Sequence, residues 1–321
     1  MSDYVDLHIH GAFGVDITTA DSAGLDRLAI GLRRAGYAAF LPTLVPMPHA
    51  RLLAAIERLR EWLATADPAG ATPLGIHFEG PFVARDRGGA LHPDCFLDLS
   101  DRTRVDRFFG AIDGLPGRNM VTLAPEITGG LEIIQEFRRR RFLIAVGHTS
   151  ATSSDLESAV LAGARHMTHF CNAMRPLHHR EPGPIGFGLT TDAMSLDLIA
   201  DMHHLHPRMI ELVLRARSHD SVALISDAIP AAGLAEGDYQ VWGETLRVHD
   251  GEARNAAGSL AGSVALLGDC VRRLVAKGLM DETRARAAAS TVPMAILDRA
   301  CGTATRFVLY LQDDDGNCQE I

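Results

Sequence analysis

The chain has 321 residues, of which 47% are hydrophobic and 22% charged, and its 31 Lys and Arg against 40 Asp and Glu give a formal charge of −9. This composition excludes a mostly disordered chain, and the negative charge disfavours nonspecific binding to nucleic acid or to an anionic membrane. The sequence shows no secretory signal, no apolar run of membrane-spanning length and no CxxC among its five cysteines. We therefore expect a cytoplasmic protein with neither a nucleic-acid nor a membrane partner.

Eight short apolar runs alternate with longer amphipathic stretches. The runs are residues 4–9, 38–45, 74–78, 120–123, 142–146, 166–169, 196–200 and 222–225. Several are continuously apolar, as expected for strands of a parallel sheet that is buried on both faces. Eight β-then-α units in a chain of this length predict an α/β fold of the (β/α)8 TIM-barrel type over residues 1–305. The alternative is an open doubly wound sheet, although no GxGxxG follows the first strand and the chain has no Walker loop.

Two segments interrupt this alternation. Residues 237–255 predict a β-hairpin inserted after the eighth strand, with strands at 239–242 and 245–249. Residues 306–311 form a lone strand-like run, and an acidic tail follows it. We therefore predict that residues 306–321 are a separate terminal segment.

Histidines and carboxylates lie at the ends of most of the predicted strands. They are His8 and His10 (first strand), Glu79 (third), His148 (fifth), His169 (sixth), His203 and His204 (seventh) and Asp227 (eighth). In a (β/α)8 barrel the C-terminal strand ends converge on one mouth, where active sites are built. Any one of these histidines alone is more often structural, and we expect His49, His206, His219 and His249 to be so. The set as a whole predicts a metal site, because imidazole and carboxylate suit zinc and similar divalent ions.

The ligand types predict the chemistry of this site. Glu79, His148 and His169 form one predicted ligand set that leaves a position open for water, while His8 and His10 permit a second ion with Glu79 bridging the two. Such an ion lowers the pKa of water to roughly 7 and polarises a carbonyl. Asp227, itself a further candidate ligand, is the predicted general base and then the acid for the leaving amine. The expected reaction is metal-assisted hydrolysis of an amide or a related bond.

A series of motifs covers about residues 5 to 300. They are DLHIHG at 6–11, GIHFEGPF at 75–82, VTLAPE at 121–126, GHTSAT at 147–152, THFCNAM at 168–174, HREPG at 179–183, ADMHH at 200–204, SDA at 226–228, AG at 232–233 and LAGS at 260–263. In this order they resemble the N-acetylglucosamine-6-phosphate deacetylase family of the amidohydrolase superfamily. The HxH motif is shared by many hydrolases, whereas HFEGPF, NAM and REPG together are specific to this group.

The resemblance implies roles for particular residues. It makes Glu79, His148 and His169 the main metal ligands and Asp227 the catalytic acid and base, with His204 helping to polarise an acetyl carbonyl. It implies substrate contacts that include a phosphate site. It also implies a homodimer in which Arg180 reaches across from the partner. These substrate-binding residues are His92, Asn172, Ala173 through its backbone, Arg180, His204 and Leu260. The segment 260–263 is expected as a loop that packs over the sugar. Its structural alternative is a helix start with Ser263 as N-cap, and both can hold.

The sequence also departs from the family pattern. The first barrel strand starts almost at Met1, so we expect the small flanking β-sandwich of the family to be absent or reduced to a C-terminal remnant at residues 306–311. Met202 replaces a frequent glycine, and Phe170 and Cys171 replace a more usual pair. We expect Cys171 to pack against the pocket. The expected substrate is N-acetylglucosamine 6-phosphate or a close N-acyl hexosamine phosphate. The alternatives are an unphosphorylated N-acyl amino sugar, another cyclic amide, or an inactive metal-binding scaffold.

Overall fold

A computed structural model describes residues 3–301, 310–312 and 318–320. Eight parallel strands stand in the sheet in the same order as in the chain. They are β1 Tyr4–Ile9, β2 Tyr37–Leu44, β3 His77–Glu79, β4 Met120–Leu123, β5 Leu143–Val146, β6 His166–Met167, β7 Ser195–Ile199 and β8 Val222–Ile225. The Asp227 N–H donates to the His8 carbonyl at 3.0 Å and the His10 N–H to the Ala228 carbonyl at 2.8 Å, so the last strand closes onto the first. The predicted (β/α)8 barrel is confirmed, and the doubly wound alternative is wrong.

Helices follow the strands as the alternating pattern predicts. They are α1 Ser22–Arg34, α2 His49–Leu63, α3 Arg102–Ile112, α4 Gly130–Arg139, α5 Ser153–Ala162, α6 Gly183–Thr190, α7 Pro207–Ala216, α8 Leu267–Ala276, α9 Glu282–Ala288 and α10 Thr291–Cys301. Single 3-10 turns occur at Arg85–Arg87, Pro93–Cys95, Leu99–Asp101 and His219–Ser221. Local capping fixes several starts: Asp21 accepts the Gly24 N–H at the start of α1, and Thr152 forms a capping box with Asp155 at the start of α5.

The N-terminal end of the barrel is filled with apolar side chains. Inward-facing residues such as Val5, Leu143 and Ile225 are fully buried there and pack against Ile296 and Leu297 of α10. The last helix therefore closes the floor of the barrel. No helix among the described residues combines the length and the apolarity needed to cross a lipid bilayer.

The insertion after β8 is larger than the predicted hairpin. Four antiparallel strands, β9 Gly237–Val241, β10 Glu244–His249, β11 Glu252–Arg254 and β12 Leu260–Ser263, form one sheet, which we call the inserted sheet. Residues 260–263 form a strand, so the predictions of a loop conformation and of a helix start with Ser263 as N-cap are wrong. The predicted packing of this segment over the sugar stays a prediction. The Ser263 N–H donates to the Asp227 carbonyl at 2.8 Å, and the Ile229 N–H donates to the Ser263 carbonyl at 3.0 Å. These bonds hold the segment extended against the barrel, and helix α8 starts only at Leu267.

Three further pairings that involve short strands occur among the described residues. Gly11–Ala12 pairs with Val15–Asp16, and Thr72–Pro73 pairs with β2. Tyr310–Gln312, β13, pairs with Cys318–Glu320, β14. Most of the predicted strand-like run at 306–311 lies outside the described residues, so the separate terminal segment stays a prediction.

Candidate active site

Buried imidazoles and carboxylates meet at the C-terminal mouth of the barrel. Each comes from the end of a strand, where a parallel barrel directs its loops inward. His8, His10, Glu79, His148, His169 and Asp227 are each no more than 7% exposed. The structure thus brings together every residue that the sequence predicts as a metal ligand.

Glu79 stands between two imidazoles. Its Oε1 lies 2.9 Å from Nε2 of His148 and 3.1 Å from Nε2 of His169, and these two nitrogens are 3.1 Å apart. Ligand atoms of the three side chains lie close enough to coordinate one ion. This is the first predicted ligand set.

A second cluster adjoins the first. Nε2 of His8 and Nε2 of His10 are 3.1 Å apart, and Oδ1 of Asp227 lies 3.4 Å and 3.1 Å from them. The carboxylate of Glu79 reaches both rings as well, at 3.6 Å from His8 and 3.4 Å from His10. Glu79 therefore lies between the two clusters, and its bridging of two ions stays a prediction.

The donor set fits a cation. Nδ1 of His148 lies 2.8 Å from the Arg87 carbonyl, and Nδ1 of His10 lies 3.4 Å from the Thr43 carbonyl. A carbonyl only accepts, so each Nδ1 carries the proton and each Nε2 of these rings, when neutral, presents a lone pair to the cluster. Lone pairs of nitrogen and oxygen facing one another at about 3 Å are the arrangement that a divalent ion satisfies.

The electrostatics favour positive charge at the centre of the clusters. Burial by itself lowers the pKa of His8, but the carboxylates of Glu79 and Asp227 outweigh it and raise the pKa to about 9. Burial likewise opposes ionisation of Glu79, yet His8 and the hydrogen bonds from His148 and His169 hold its pKa well below the usual range. A proton and a metal ion thus compete for the same place.

The backbone is strained where it presents these ligands. His148, His169 and Asp227 have φ of 48°, 33° and 51°, in the left-handed region that residues other than glycine seldom adopt. Such strain costs on the order of 1–3 kcal/mol per residue and is typical of functional sites. Asp197, fully buried, supports one of the three: it accepts the His169 N–H and pairs with Nε2 of His166 at 2.8 Å.

The clusters form the bottom of a pocket. Its walls include Asn172, Ala173, His204 and Leu260, four of the predicted substrate-binding residues. The Ala173 N–H donates to no acceptor in the described part of the chain, so it is free to bind a ligand oxygen.

Two predicted substrate residues lie elsewhere in this chain. His92 lines a second cavity, and its Nε2 is 3.3 Å from the carbonyl oxygen of Trp242, a residue that lines both this cavity and the pocket. Arg180 is exposed, with its guanidinium 3.0 Å from Nε2 of His179. It does not line the pocket of this chain. His49, His206, His219 and His249, expected to be structural, do not line the pocket either.

Sequence reasoning missed several residues that shape the site. Trp242, at the turn between β9 and β10, lines the pocket. Its ring packs edge to face against the His10 ring, with the two ring centroids 5.0 Å apart. Its place depends on how the inserted sheet packs, which no local pattern indicates. Asp197 and Asp201 are buried carboxylates behind the ligands. Each follows an apolar run or falls within one, and a carboxylate there is a signal that could have found them.

Known proteins are similar to this chain in sequence and in fold. The N-acetylglucosamine-6-phosphate deacetylase of Bacillus subtilis is 38% identical over 272 residues, 84% of this chain and 68% of that protein. The N-acetylgalactosamine-6-phosphate deacetylase of Escherichia coli O157:H7 is 36% identical over 85% of this chain and 71% of its own length. The solved N-acetylglucosamine-6-phosphate deacetylase of Thermotoga maritima has a TM-score of 0.84 at 30% identity, covering 100% of this chain and 86% of its own. No family profile matches the chain.

The barrel and the ligand clusters at its mouth define the class of protein, a (β/α)8 amide hydrolase whose site is built to hold a metal ion. Sequence and structure then agree on the family. The chain belongs to the N-acetylglucosamine-6-phosphate deacetylase family, as the motif series predicts.

Proposed function

We propose that this enzyme removes the N-acetyl group from N-acetylglucosamine 6-phosphate, or from a close N-acyl hexosamine phosphate, and releases the amino sugar phosphate and acetate. The observation that carries the proposal is the convergence of both ligand clusters with Asn172, Ala173 and His204 around one pocket. Relatives of similar identity are named for the glucosamine and for the galactosamine substrate. The proposal therefore covers both epimers.

The geometry supports the metal ligands that we propose. Glu79, His148 and His169 would hold one divalent ion, zinc first, and His8 and His10 with Asp227 would hold a second. A divalent ion supplies Lewis acidity, which lowers the pKa of water and polarises a carbonyl.

Asp227 is suited to move the proton. Burial alone would raise the pKa of its carboxyl, but His8 and His10 outweigh this effect and lower it, so the carboxylate is ionised and able to accept. It takes a proton from the attacking water as the water oxygen bonds to the acetyl carbon. It then gives that proton to the amide nitrogen as the C–N bond breaks. A scaffold without activity has no use for a base in this position.

The pocket walls supply recognition. His204 donates to the acetyl oxygen, while the Asn172 side chain and the free Ala173 N–H receive the sugar phosphate. Leu260 and Trp242 cover the sugar from the inserted sheet.

Arg180 supports the proposal of a homodimer with shared sites. It is exposed on the segment after β6 and does not reach its own pocket, and a guanidinium is well matched to a phosphate. We propose that it serves the partner's pocket. Mixing Arg180→Ala chains with Asp227→Asn chains tests this, because a heterodimer regains one site with both residues. Partial return of activity is expected, whereas a mixture with proven subunit exchange that stays inactive contradicts the shared site.

We also propose a cytoplasmic location. The cysteines whose side chains are described, Cys95, Cys171 and Cys270, are free, as is usual in a reducing compartment.

A substrate panel tests the function. N-acetylglucosamine and N-acetylgalactosamine, each with and without the 6-phosphate, are incubated with the enzyme and acetate release is measured. We expect kcat/KM at least about 10²-fold higher for a phosphorylated sugar, because the pocket leaves phosphate-binding groups unpaired without it. Equal turnover of both forms removes the phosphate from the proposal, and no acetate from any sugar overturns it.

A further inference from the structure

A buried carboxylate stands directly behind His204. Oδ2 of Asp201 lies 2.8 Å from Nδ1 of His204, and Oδ1 accepts the backbone N–H groups of His203 and His204 at 2.9 Å each. Asp201 is 1% exposed and does not line the pocket. Met202 between them has φ of 68°, so the turn that brings the ring over the carboxylate is strained.

This contact decides which ring nitrogen faces the substrate. An ionised carboxylate only accepts hydrogen bonds, so Nδ1 of His204 must carry a proton. Nε2 is then the nitrogen available to the pocket that His204 lines. Whether Nε2 can donate depends on whether the imidazole is protonated.

The surrounding charges favour the protonated ring. Asp201, Asp227 after β8 and Glu252 on β11 all act on His204; burial by itself lowers its pKa, but they outweigh it and raise it. Burial also opposes ionisation of Asp201, yet the pKa of that carboxyl is lowered, His204 being the largest opposing cause.

Asp201 has further neighbours. Arg273 of α8 donates to its backbone carbonyl. Burial, with a smaller effect of the Asp201 charge, raises the pKa of the Cys270 thiol, so that thiol stays neutral.

The same carboxylate is tied to the inserted sheet. The hydroxyl of Ser263 on β12 donates to Oδ2 of Asp201 at 2.8 Å. Leu260 on the same strand lines the pocket. One carboxylate therefore bonds both to the histidine and to the strand that carries Leu260.

We propose that Asp201 is a positioning residue that holds His204 with Nδ1 protonated and Nε2 donating to the acetyl oxygen, and that its bond to Ser263 keeps the inserted sheet in register with that histidine. The inference rests on the proposed function. Asp201 does not touch the substrate and acts through His204.

The next residue provides a matched control. Nδ1 of His203 lies 3.2 Å from Oε1 of Glu252 on β11, so a second histidine–carboxylate pair adjoins the first. His203 does not line the pocket. Of the carboxylates that raise the pKa of His204, Glu252 has the smallest effect.

The first experiment compares pH profiles of kcat/KM for the wild type, Asp201→Asn and Glu252→Gln. Activity that needs protonated His204 falls on the alkaline side as the pH passes its raised pKa. Asp201→Asn removes the charge, so the alkaline limb should move to lower pH by about one unit or more, while Glu252→Gln, which removes the weakest of the named charges, should move it by much less. A merely structural role lowers the whole profile without moving the limb, and that result overturns the proposal.

The second experiment needs no activity and takes its result from the wild type. The ring nitrogens of His204 are observed by ¹⁵N NMR in the wild-type holoenzyme, with the signals assigned from His204→Gln. Protons on both Nδ1 and Nε2 are expected at neutral pH, and a ring protonated at only one of the two nitrogens overturns the proposal. A wild type that releases no acetate would defeat the proposed function, yet this measurement would still decide the role of Asp201.

Discussion

The two ends of the barrel contain opposite kinds of side chain on the same strands. Along β8 and just beyond it, Ala223, Ile225 and Asp227 are spaced two residues apart, a spacing that places them on one side of a strand. The first two belong to the apolar floor under α10, and the third stands in the ligand cluster at the mouth. Within four residues the interior changes from hydrocarbon to charge.

The difference shows which end stabilises the fold and which performs the chemistry. The floor buries apolar surface, and each Å² of that surface removed from water stabilises the fold by about 25 cal/mol. The floor presents no ligand. The mouth contains buried charges and left-handed residues such as His148, His169 and Asp227, which are unfavourable for folding alone. The separation implies that substitutions at the mouth change activity and metal binding, while substitutions at the floor change stability.

The largest effect is expected at Asp227. Asp227→Asn removes the proton acceptor and should lower kcat by about 10²–10⁴-fold, while the midpoint of thermal unfolding stays near that of the wild type. Steady-state kinetics with acetate detection measures the rate. A variant with more than about a tenth of the wild-type rate would show that another group carries the proton.

The floor offers the converse substitution. Leu297→Ala in α10, where the side chain is fully buried, should lower the free energy of unfolding by about 2–5 kcal/mol through lost burial and a cavity. The kcat of the folded fraction should not change. Leu161→Ala is the control, since Leu161 is 82% exposed and its loss should cost less than about 0.5 kcal/mol in denaturant titrations. A large loss of kcat in Leu297→Ala would contradict the division between the two ends.

A smaller effect is expected one step behind the ligands. Asp197→Asn weakens the support of the His169 backbone and should lower metal affinity by about 10–100-fold, as measured by competition with a chelator. Asp192→Asn, on the exposed surface, is the control. Equal affinity in both variants would mean that strand geometry alone holds His169.

The smallest effect is expected at Cys171. Burial raises the pKa of its thiol to about 12, so the thiol is not ionised near neutral pH and is a poor nucleophile. Cys171→Ser should keep kcat within about threefold of the wild type. Loss of activity on the scale of Asp227→Asn would give the thiol a chemical role.

The apolar runs predicted the barrel because strands buried on both faces are recognisable in sequence. The bounds of β1, β4 and β8 agree with the predicted runs. The sixth run, predicted as 166–169, ends at Met167, since Asp197 captures the His169 N–H and the chain turns left-handed there. Tertiary contacts of this kind are not encoded locally.

The same limit applied to the site. The ligands were predictable because their strand ends are, and a barrel brings strand ends together. Trp242 and strand β12 were not, because their places depend on how the inserted sheet docks on the barrel. The positions of His92 and Arg180 outside the pocket likewise depend on loop conformation.

The central claim is that the mouth of the barrel performs metal-dependent amide hydrolysis. The most direct test strips the purified enzyme with a chelator, restores zinc or another divalent ion stepwise, and records bound metal and the rate of acetate release from N-acetylglucosamine 6-phosphate on the same samples. The rate should be lost with the metal and should return in proportion to the ion bound. Full activity in a sample that elemental analysis shows to be free of metal would contradict it.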